Sequence, residues 1–444
     1  MTGAREDTIV ALATGPVPSA LALIRVSGLA ARSAVRHLLR TDLPAKRTAR
    51  LRRLFDVSGA LIDEGVVTTF PGPDSFTGED LVEVTVHGGP AVVEHLIDAL
   101  TCQPRVRLAE PGEFTRRAFE AGRLDLTEAE AIADLIAAET QSQKAQALEQ
   151  LSGRLTHHIN DLKHGLIEAM AAIELMIDFA DEGDAPDDNR DVIANRLVML
   201  SQRIRQILDD NRAGERIREG VRIAIIGPPN AGKSTLLNAL AGEDAAIVSM
   251  LPGTTRDVVS VRLILGGVPV TLLDTAGLRV TEDVIEAEGV TRARRAAETA
   301  DLKLLMLPAD APVSEDFEEW LVQPDVVVLR SKSDLLRGGD ISGLRLSVQT
   351  GENFDRLRQS LDDRVRALVS SREPALITRR RHREAFELAV AAIDRAMAGL
   401  HSGLEIALVA EDIRAAAQQM ERLLGRLDVE DVLGAIFSRF CIGK

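Results

Sequence analysis

At 444 residues the chain is too long for one hydrophobic core, and 45% apolar against 27% charged residues places it among ordinary globular proteins of about two to four domains. Two cysteines, Cys102 and Cys441, exclude a disulfide framework and a cysteine zinc site, and fit a reducing, cytoplasmic setting. A formal charge of −15 excludes a surface that binds polyanions broadly, so any nucleic-acid contact must be local or carried by a partner.

Arg5, Glu6 and Asp7 precede any apolar run, and no stretch approaches the roughly eighteen apolar residues of a membrane span, so no membrane association is expected. Residues 1–120 alternate short β-type runs with turn signals. The runs at 20–26, 66–70 and 81–86 end in Ser27-Gly28, Pro71-Gly72-Pro73 and His87-Gly88-Gly89-Pro90. Helical intervals between them make an α+β domain. Residues 121–217 form a first helical stretch, in which the composition turns from Thr127 onward to Ala, Glu, Gln and Leu, with apolar residues at helical spacing, as at Ala131, Leu135, Ala138 and at Ile167, Met170, Ile173. This helical stretch is interrupted by an acidic loop at 181–188 and closes in a link at 214–220. Residues 218–373 alternate buried parallel-type strands with helices, a Ras-like α/β pattern with a mostly parallel sheet. Residues 374–444 are helical again. The two helical stretches are expected to pack as one domain into which the α/β domain is inserted. The basic clusters at 46–53 and 379–383 read as solvated faces rather than RNA sites.

The run 223–226 leads directly into Gly227-Pro-Pro-Asn230-Ala231-Gly232-Lys233-Ser234-Thr235, the GxxxxGK[ST] phosphate loop in its strand-loop-helix context. Its glycines let backbone N–H groups face phosphate oxygens. Lys233 brings charge to the β- and γ-phosphates, and the Ser234 hydroxyl suits Mg²⁺. Asp274-Thr275-Ala276-Gly277 follows the run 268–273, where a magnesium-facing carboxylate and a γ-phosphate-sensing N–H belong. Gly253-Thr254-Thr255-Arg256-Asp257 between them reads as a first switch, whose threonine hydroxyl completes the metal shell. After the run 326–329 the guanine reader is Ser331-Lys332-Ser333-Asp334, with serine in place of the asparagine of NKxD. Asp334 can still accept two hydrogen bonds from guanine, and Ser347-Val348-Gln349 stands where the last guanine loop is expected. No glutamine follows Gly277 where Ras-type enzymes carry the water-orienting one, and Arg279 stands two residues beyond that glycine, so hydrolysis needs another device. Asn230 has an oxygen placed to ligate a monovalent cation, although asparagine equally suits a tight turn.

With these motifs stand Asp7-Thr-Ile-Val-Ala, Ser75-Phe-Thr-Gly-Glu-Asp, Pro111-Gly-Glu-Phe-Thr, Leu124-Asp-Leu, Glu130-Ala-Ile-Ala-Asp-Leu and a terminal Cys441-Ile-Gly-Lys444. Over nearly its whole length the chain resembles the MnmE/TrmE family of tRNA-modification GTPases. The resemblance implies a folate-binding, dimerising N-terminal domain, a helical domain and an inserted Ras-like domain. It implies a homodimer that works with the flavoprotein MnmG, which holds the FAD. Together they add an aminomethyl-type group to C5 of the tRNA wobble uridine from a tetrahydrofolate one-carbon donor, with GTP, Mg²⁺ and K⁺ as the other requirements.

Matched residue by residue, the resemblance makes Asn230, Ser249, Leu251 and Thr254 potassium contacts and Ser234 and Thr255 the magnesium pair. Met250, Pro252 and Gly253 line the nucleotide with them, and Glu286 orients the attacking water. Glu286 also reads as a solvated helix carboxylate among Glu282 and Glu288. Arg25, Glu83, Arg123 and Lys444 match the folate positions, with arginine at 123 where lysine is usual. From the residues alone, Arg25 and Glu83 could equally be edge-strand charges. Cys441 reads either as a catalytic thiol or as a buried side chain following Phe437 and Phe440. The rival reading of the whole chain is a regulatory switch GTPase in ribosome or RNA assembly.

Overall fold

The computed structural model describes residues 7–178, 188–243, 259–274, 297–335, 342–370, 375–402, 404–427, 433 and 443. The chain divides into two compact units, one comprising Met1–Ala133, Gln150–Glu174 and Ala410–Lys444, the other Asp134–Glu149 and Leu175–Val409.

In the first unit, β1 (Thr8–Leu12), β2 (Leu21–Ser27), β3 (Arg50–Phe55), β4 (Leu61–Phe70), β5 (Leu81–His87) and β6 (Val106–Leu108) form one sheet in the order β3-β4-β5-β2-β1-β6. All neighbours are antiparallel except β1 and β6. Strand periodicity sends Ala22, Ile24 and Val26 of β2 and Val82, Val84 and Val86 of β5 to one face. There they meet α1 (Ala31–Leu39) and α2 (Pro90–Thr101) through Val35, Leu38, Leu96 and Leu100, all fully buried. The opposite face carries Arg25 and Glu83.

Pro90 opens α2 at a position where its missing N–H costs nothing, and Arg40 closes α1 in the left-handed region at φ 56°. Helix α3 (Glu113–Glu120) follows Gly112. Helix α4 (Leu126–Ala137) starts on a reciprocal cap. The Asp125 carboxylate accepts the Glu128 N–H at 2.9 Å, and Glu128 accepts the Asp125 N–H at 2.8 Å. Such a cap stabilises a helix by about 1 kcal/mol, and it is the physical content of the Leu124-Asp-Leu motif. Leu433 from the far end of the chain packs on Leu126 and Ala129. Gly443, at φ 98°, lies so close to β1 that a Cβ there would stand 2.1 Å from the Leu12 carbonyl oxygen.

In the second unit, β7 (Val221–Ile226), β8 (Val259–Leu265), β9 (Val268–Asp274), β10 (Leu302–Pro308), β11 (Val326–Ser331) and β12 (Leu344–Leu346) lie in the order β12-β11-β10-β7-β9-β8. Every pairing is parallel except the β8–β9 hairpin, which turns on Gly266 and Gly267 with φ 60° and 85°. Helices cover both faces, which is why β7 and β10 are almost uninterrupted apolar runs. On one side Leu236, Leu237 and Leu240 lie in a core with Leu357, Leu361 and Val365, and on the other Ala224, Ile226, Leu305 and Leu307 meet Trp320.

The helices of this unit include most of α5 (Gln141–Leu151, whose end from Gln150 belongs to the first unit), α7 (Asp188–Leu208), α8 (Ala213–Glu219), α9 (Lys233–Glu243), the single turn α10 (Glu315–Glu318), α11 (Phe354–Val369) and α12 (Arg380–Ser402). The long helices α6 (Arg154–Asp178) and α13 (Ile406–Leu424) meet in the first unit through a Lys163–Glu421 ion pair. Two expectations are corrected here. The segment read as a link at 214–220 is helix α8, and its Gly214 answers to packing, since a Cβ there would meet the Ile377 carbonyl oxygen at 2.2 Å. The cluster at 379–383 is not simply a solvated face. Arg379 donates to Asp134 at 2.8 Å, Arg383 pairs with Asp210 at 2.5 Å and Glu215 at 3.1 Å, and both arginines are largely buried. Helix α7 packs on α12, where Ser201 and Arg205 both bond Asp394. Among the described residues no helix is long and apolar enough to cross a membrane.

Candidate nucleotide site and the adjoining charged cluster

The phosphate loop leaves the C-terminal end of β7, a central strand flanked by β10 and β9. In an open parallel sheet this is where ligand-binding loops gather. Gly227 has φ 146°, and a Cβ there would lie 2.1 Å from the Met306 carbonyl oxygen, so only glycine lets the chain turn off the strand. Asn230 and Gly232 are also left-handed, at φ 60° and 94°, and the Leu236 N–H reaches the Gly232 oxygen at 2.9 Å to begin the helical ladder.

Ala231 is fully buried beneath the loop, while Asn230, Ser234 and Thr235 are exposed at the mouth of α9. Lys233 folds over the loop, and its Nζ donates to the Gly227 and Pro228 oxygens, both at 2.8 Å. The curled backbone, the ammonium and the first-turn N–H groups of α9 fit a polyphosphate. The exposed Ser234 hydroxyl and Asn230 amide are oxygen donors suited to Mg²⁺ and a monovalent cation. Register pairs Ile225 with Asp274, which brings the backbone at the end of β9 beside the loop. Ser249, Met250, Leu251, Pro252, Gly253, Thr254, Thr255, Thr275, Ala276, Gly277, Arg279 and Glu286 lie outside the described residues.

Strand β11, two places along the sheet from β7, ends at Ser331. That side chain is buried, its Oγ donating to the Leu307 oxygen at 3.4 Å, and the Ala309 N–H reaches the Ser331 oxygen at 2.8 Å. Lys332 then takes φ 58°, and a short 3₁₀ turn over Ser333–Leu335 presents Asp334 to solvent. Ser347, nearly fully buried, follows β12, with Val348 and Gln349 progressively more exposed. Arg330, which the sequence did not single out, is buried beneath this edge. Burial pulls its pKa below the usual arginine value while its Nε donates to the Ser342 oxygen at 3.0 Å.

In the first unit Arg25 and Glu83 face one another in register on β2 and β5. Neither strand is an edge, so the edge-strand alternative is corrected: they form a cross-strand pair near the middle of the sheet. Arg25 donates from Nε and Nη2 to Glu83 Oε1 at 3.1 and 2.8 Å, and its guanidinium lies 5.6 Å from the Phe76 ring centre and 5.8 Å from that of Phe114. Arg123 is exposed, its Cγ 3.6 Å from where a Cβ of Gly78 would stand, beside the loop that bears Phe76. Lys444 and Cys441 lie outside the described residues.

Near Phe114 runs a charged network that sequence reasoning missed, although its acidic residues Asp7, Glu79 and Glu113 sit in the quoted motifs. Glu113 accepts Arg107 at 2.6 Å and Arg117 at 2.9 Å. Arg117 also donates to Glu79 at 3.1 Å and Asp7 at 3.1 Å, and Glu79 accepts the Ser27 hydroxyl at 2.8 Å. Glu113 and Arg117 are almost wholly buried. Burial alone raises the Glu113 pKa, but hydrogen bonds from Arg107, the Glu110 N–H and Arg117 overcome it and hold the carboxyl at about 2. The same carboxylates push Arg107 and Arg117 above the usual arginine value against the effect of burial. Among the described residues no group of three or more His, Cys, Asp or Glu side chains could hold a metal ion.

A phosphate loop on a central parallel strand, with an aspartate-bearing turn two strands away, defines a P-loop domain of the GTPase class. The comparisons place it further. The family model described as GTP-binding protein TrmE N-terminus matches residues 8–123, and the MnmE helical domain matches residues 126–441. The tRNA modification GTPase MnmE of Hyphomonas neptunium is 50% identical over 444 residues, covering 99% of this chain and 100% of the relative. That of Maricaulis maris is 48% identical over 443 residues, with 99% and 100% covered. A crystal structure of Aquifex aeolicus Era bound to GDP·AlF₄⁻ aligns over 38% of this chain and 66% of that one at 27% identity, with a TM-score of 0.26. The chain belongs to the MnmE family of tRNA modification GTPases.

Proposed function

We propose that this protein is a cation-activated GTPase that, as a homodimer with the flavoprotein MnmG, adds a carboxymethylaminomethyl or aminomethyl group to C5 of the wobble uridine of certain tRNAs in the cytoplasm. The observation that carries the GTPase half is the Gly227–Ser234 loop on β7, with Asp334 presented after β11. The relatives' shared name supports tRNA modification as the output.

In this reading the N–H groups of the curled loop and Lys233 hold the β- and γ-phosphates, Ser234 with Thr255 holds Mg²⁺, and Asp334 accepts the guanine N–H groups. Asn230, exposed on the loop, serves potassium with Ser249, Leu251 and Thr254. Potassium held there would supply positive charge to the phosphates, the part a glutamine-lacking switch leaves open. Glu286 positions water. In the first unit, the Arg25–Glu83 pair between Phe76 and Phe114 offers a carboxylate for pterin N–H groups, a cation for a glutamate tail and two apolar ring faces. A tetrahydrofolate derivative fits that chemistry, with Arg123 and Lys444 as further cations, and supplies the one-carbon unit. Cys441, next to Lys444, is assigned no covalent role.

The deciding experiment is analysis of wobble uridines in tRNA from a strain lacking this protein. Their C5 substituent should be missing, and unchanged modification would sink the proposal in favour of a ribosome-assembly switch. Hydrolysis in potassium should exceed that in sodium, and equal slow rates would remove the cation from the mechanism.

A further inference from the structure

Asp334 can read guanine only if its turn is held still, and the residue that would ordinarily tie that turn is altered. An asparagine at 331 would offer an amide N–H and C=O for bridging to a neighbouring loop. Ser331 offers one hydroxyl, buried and directed to the Leu307 oxygen on β10 at 3.4 Å. Two residues on, the Ser333 hydroxyl donates to Glu352 Oε2 at 2.6 Å, the length of a charge-assisted hydrogen bond, and Ser333 is itself buried.

Glu352 is in turn fixed through its backbone. Its carbonyl accepts the Ser347 N–H at 3.2 Å, its N–H donates to Thr350 Oγ1 at 3.4 Å, and Ser347 Oγ accepts the Thr350 N–H at 3.3 Å. Among the described residues, the turn after β11 and the loop after β12 are thus joined by the Ser333–Glu352 side-chain bond.

We propose that Ser333 and Glu352 form a positioning pair that holds the Asp334 turn against the Ser347–Gln349 loop, and so sets guanine affinity and discrimination where asparagine is lacking at 331. The inference rests on the reading of 331–334 as the guanine reader. Neither residue touches the base. Their effect passes through Asp334, whose bond to the guanine 2-amino group is what separates GDP from IDP.

The test uses the full-length protein as wild type, Ser333→Ala, Glu352→Ala, the double variant and Ser333→Thr. Binding of fluorescent GDP and IDP is measured alongside steady-state GTP hydrolysis. Each single alanine variant should bind GDP about three- to tenfold more weakly, as expected for loss of one hydrogen bond whose carboxylate end, Glu352, is exposed. Each should also lower the GDP/IDP preference and raise KM with kcat unchanged. The double variant should be no worse than the singles, because both remove one interaction, and Ser333→Thr should restore affinity. Glu352→Ala keeps the backbone bonds, so the loop itself survives. Unchanged affinity in the single variants, or a double variant whose loss is the product of the two, would overturn the pairing while wild-type GDP binding stands. Absence of GDP binding in the wild type would instead remove the guanine reading on which it rests.

Discussion

Replacing Glu113 with glutamine takes one negative charge from a buried cluster in which Arg107 and Arg117 both converge on it. The carboxyl falls from 4.5 in an unperturbed setting to about 2 in the fold. At about 1.36 kcal/mol per unit, that depression corresponds to roughly 3 kcal/mol of stability. The figure agrees with the roughly 3–5 kcal/mol lost when one partner of a buried ion pair is removed, and the lower end is apt because Asp7 and Glu79 still face the arginines. Since the folded pKa is depressed, the contribution is fully present above about pH 4.5 and is lost as pH falls toward about 2. Urea unfolding of wild type and Glu113→Gln should therefore differ by about 3 kcal/mol at pH 7, with the gap closing between about pH 4.5 and 2. Hydrogen exchange at β1 and α3 should report the same loss locally, because a chain of two units need not unfold in one step. Equal stability at pH 7, or a gap that persists undiminished at the acid end, would refute the argument.

Three further outcomes are expected. Gly227→Ala should abolish GDP binding in an equilibrium assay, because its Cβ would stand 2.1 Å from the Met306 carbonyl oxygen and displace the phosphate loop from β10. Asp334→Asn should weaken GDP about a hundredfold, because the amide keeps only one, neutral, acceptor for the base and turns an NH₂ donor toward a guanine N–H, while the melting temperature changes little because the side chain is exposed. Gly443→Ala should reduce binding of 5-formyltetrahydrofolate with Lys444 still in place. Its Cβ would clash with the Leu12 carbonyl oxygen at 2.1 Å and lift the tail from β1; isothermal titration would read the change, and equal affinity would separate the tail from the folate site.

Much of the nucleotide domain could be read from the chain alone because its signals are local. Gly227, Gly232, Lys233 and Ser234 fall within eight consecutive residues, and the strand before them is a short apolar run. The reciprocal Asp125–Glu128 cap is likewise contained in four residues, so the signal that starts helix α4 is local. The link that proved to be α8 was misread because Gly214 and Gly220 are turn signals locally. The requirement for Gly214 comes from Ile377, more than a hundred and sixty positions away in the chain.

Distance along the chain also separates what stayed hidden elsewhere. Arg25 and Glu83 were visible as charges, but their registry on neighbouring central strands, with two phenyl rings alongside, depends on how β2 and β5 pair. The parallel union of β1 with β6 brings Asp7 to Arg107, and only then can Arg117 and Glu113 close the buried network. Ser333 carries no mark that predicts Glu352 as its partner; strand order places β12 beside β11 and delivers that carboxylate. The chain by itself determined which phosphate-binding chemistry is present, because backbone conformation and helix capping act over a few residues. Tertiary structure alone decided which charges are buried together and which loops are tied, because desolvation and ion pairing act between groups that meet only after the sheets have formed.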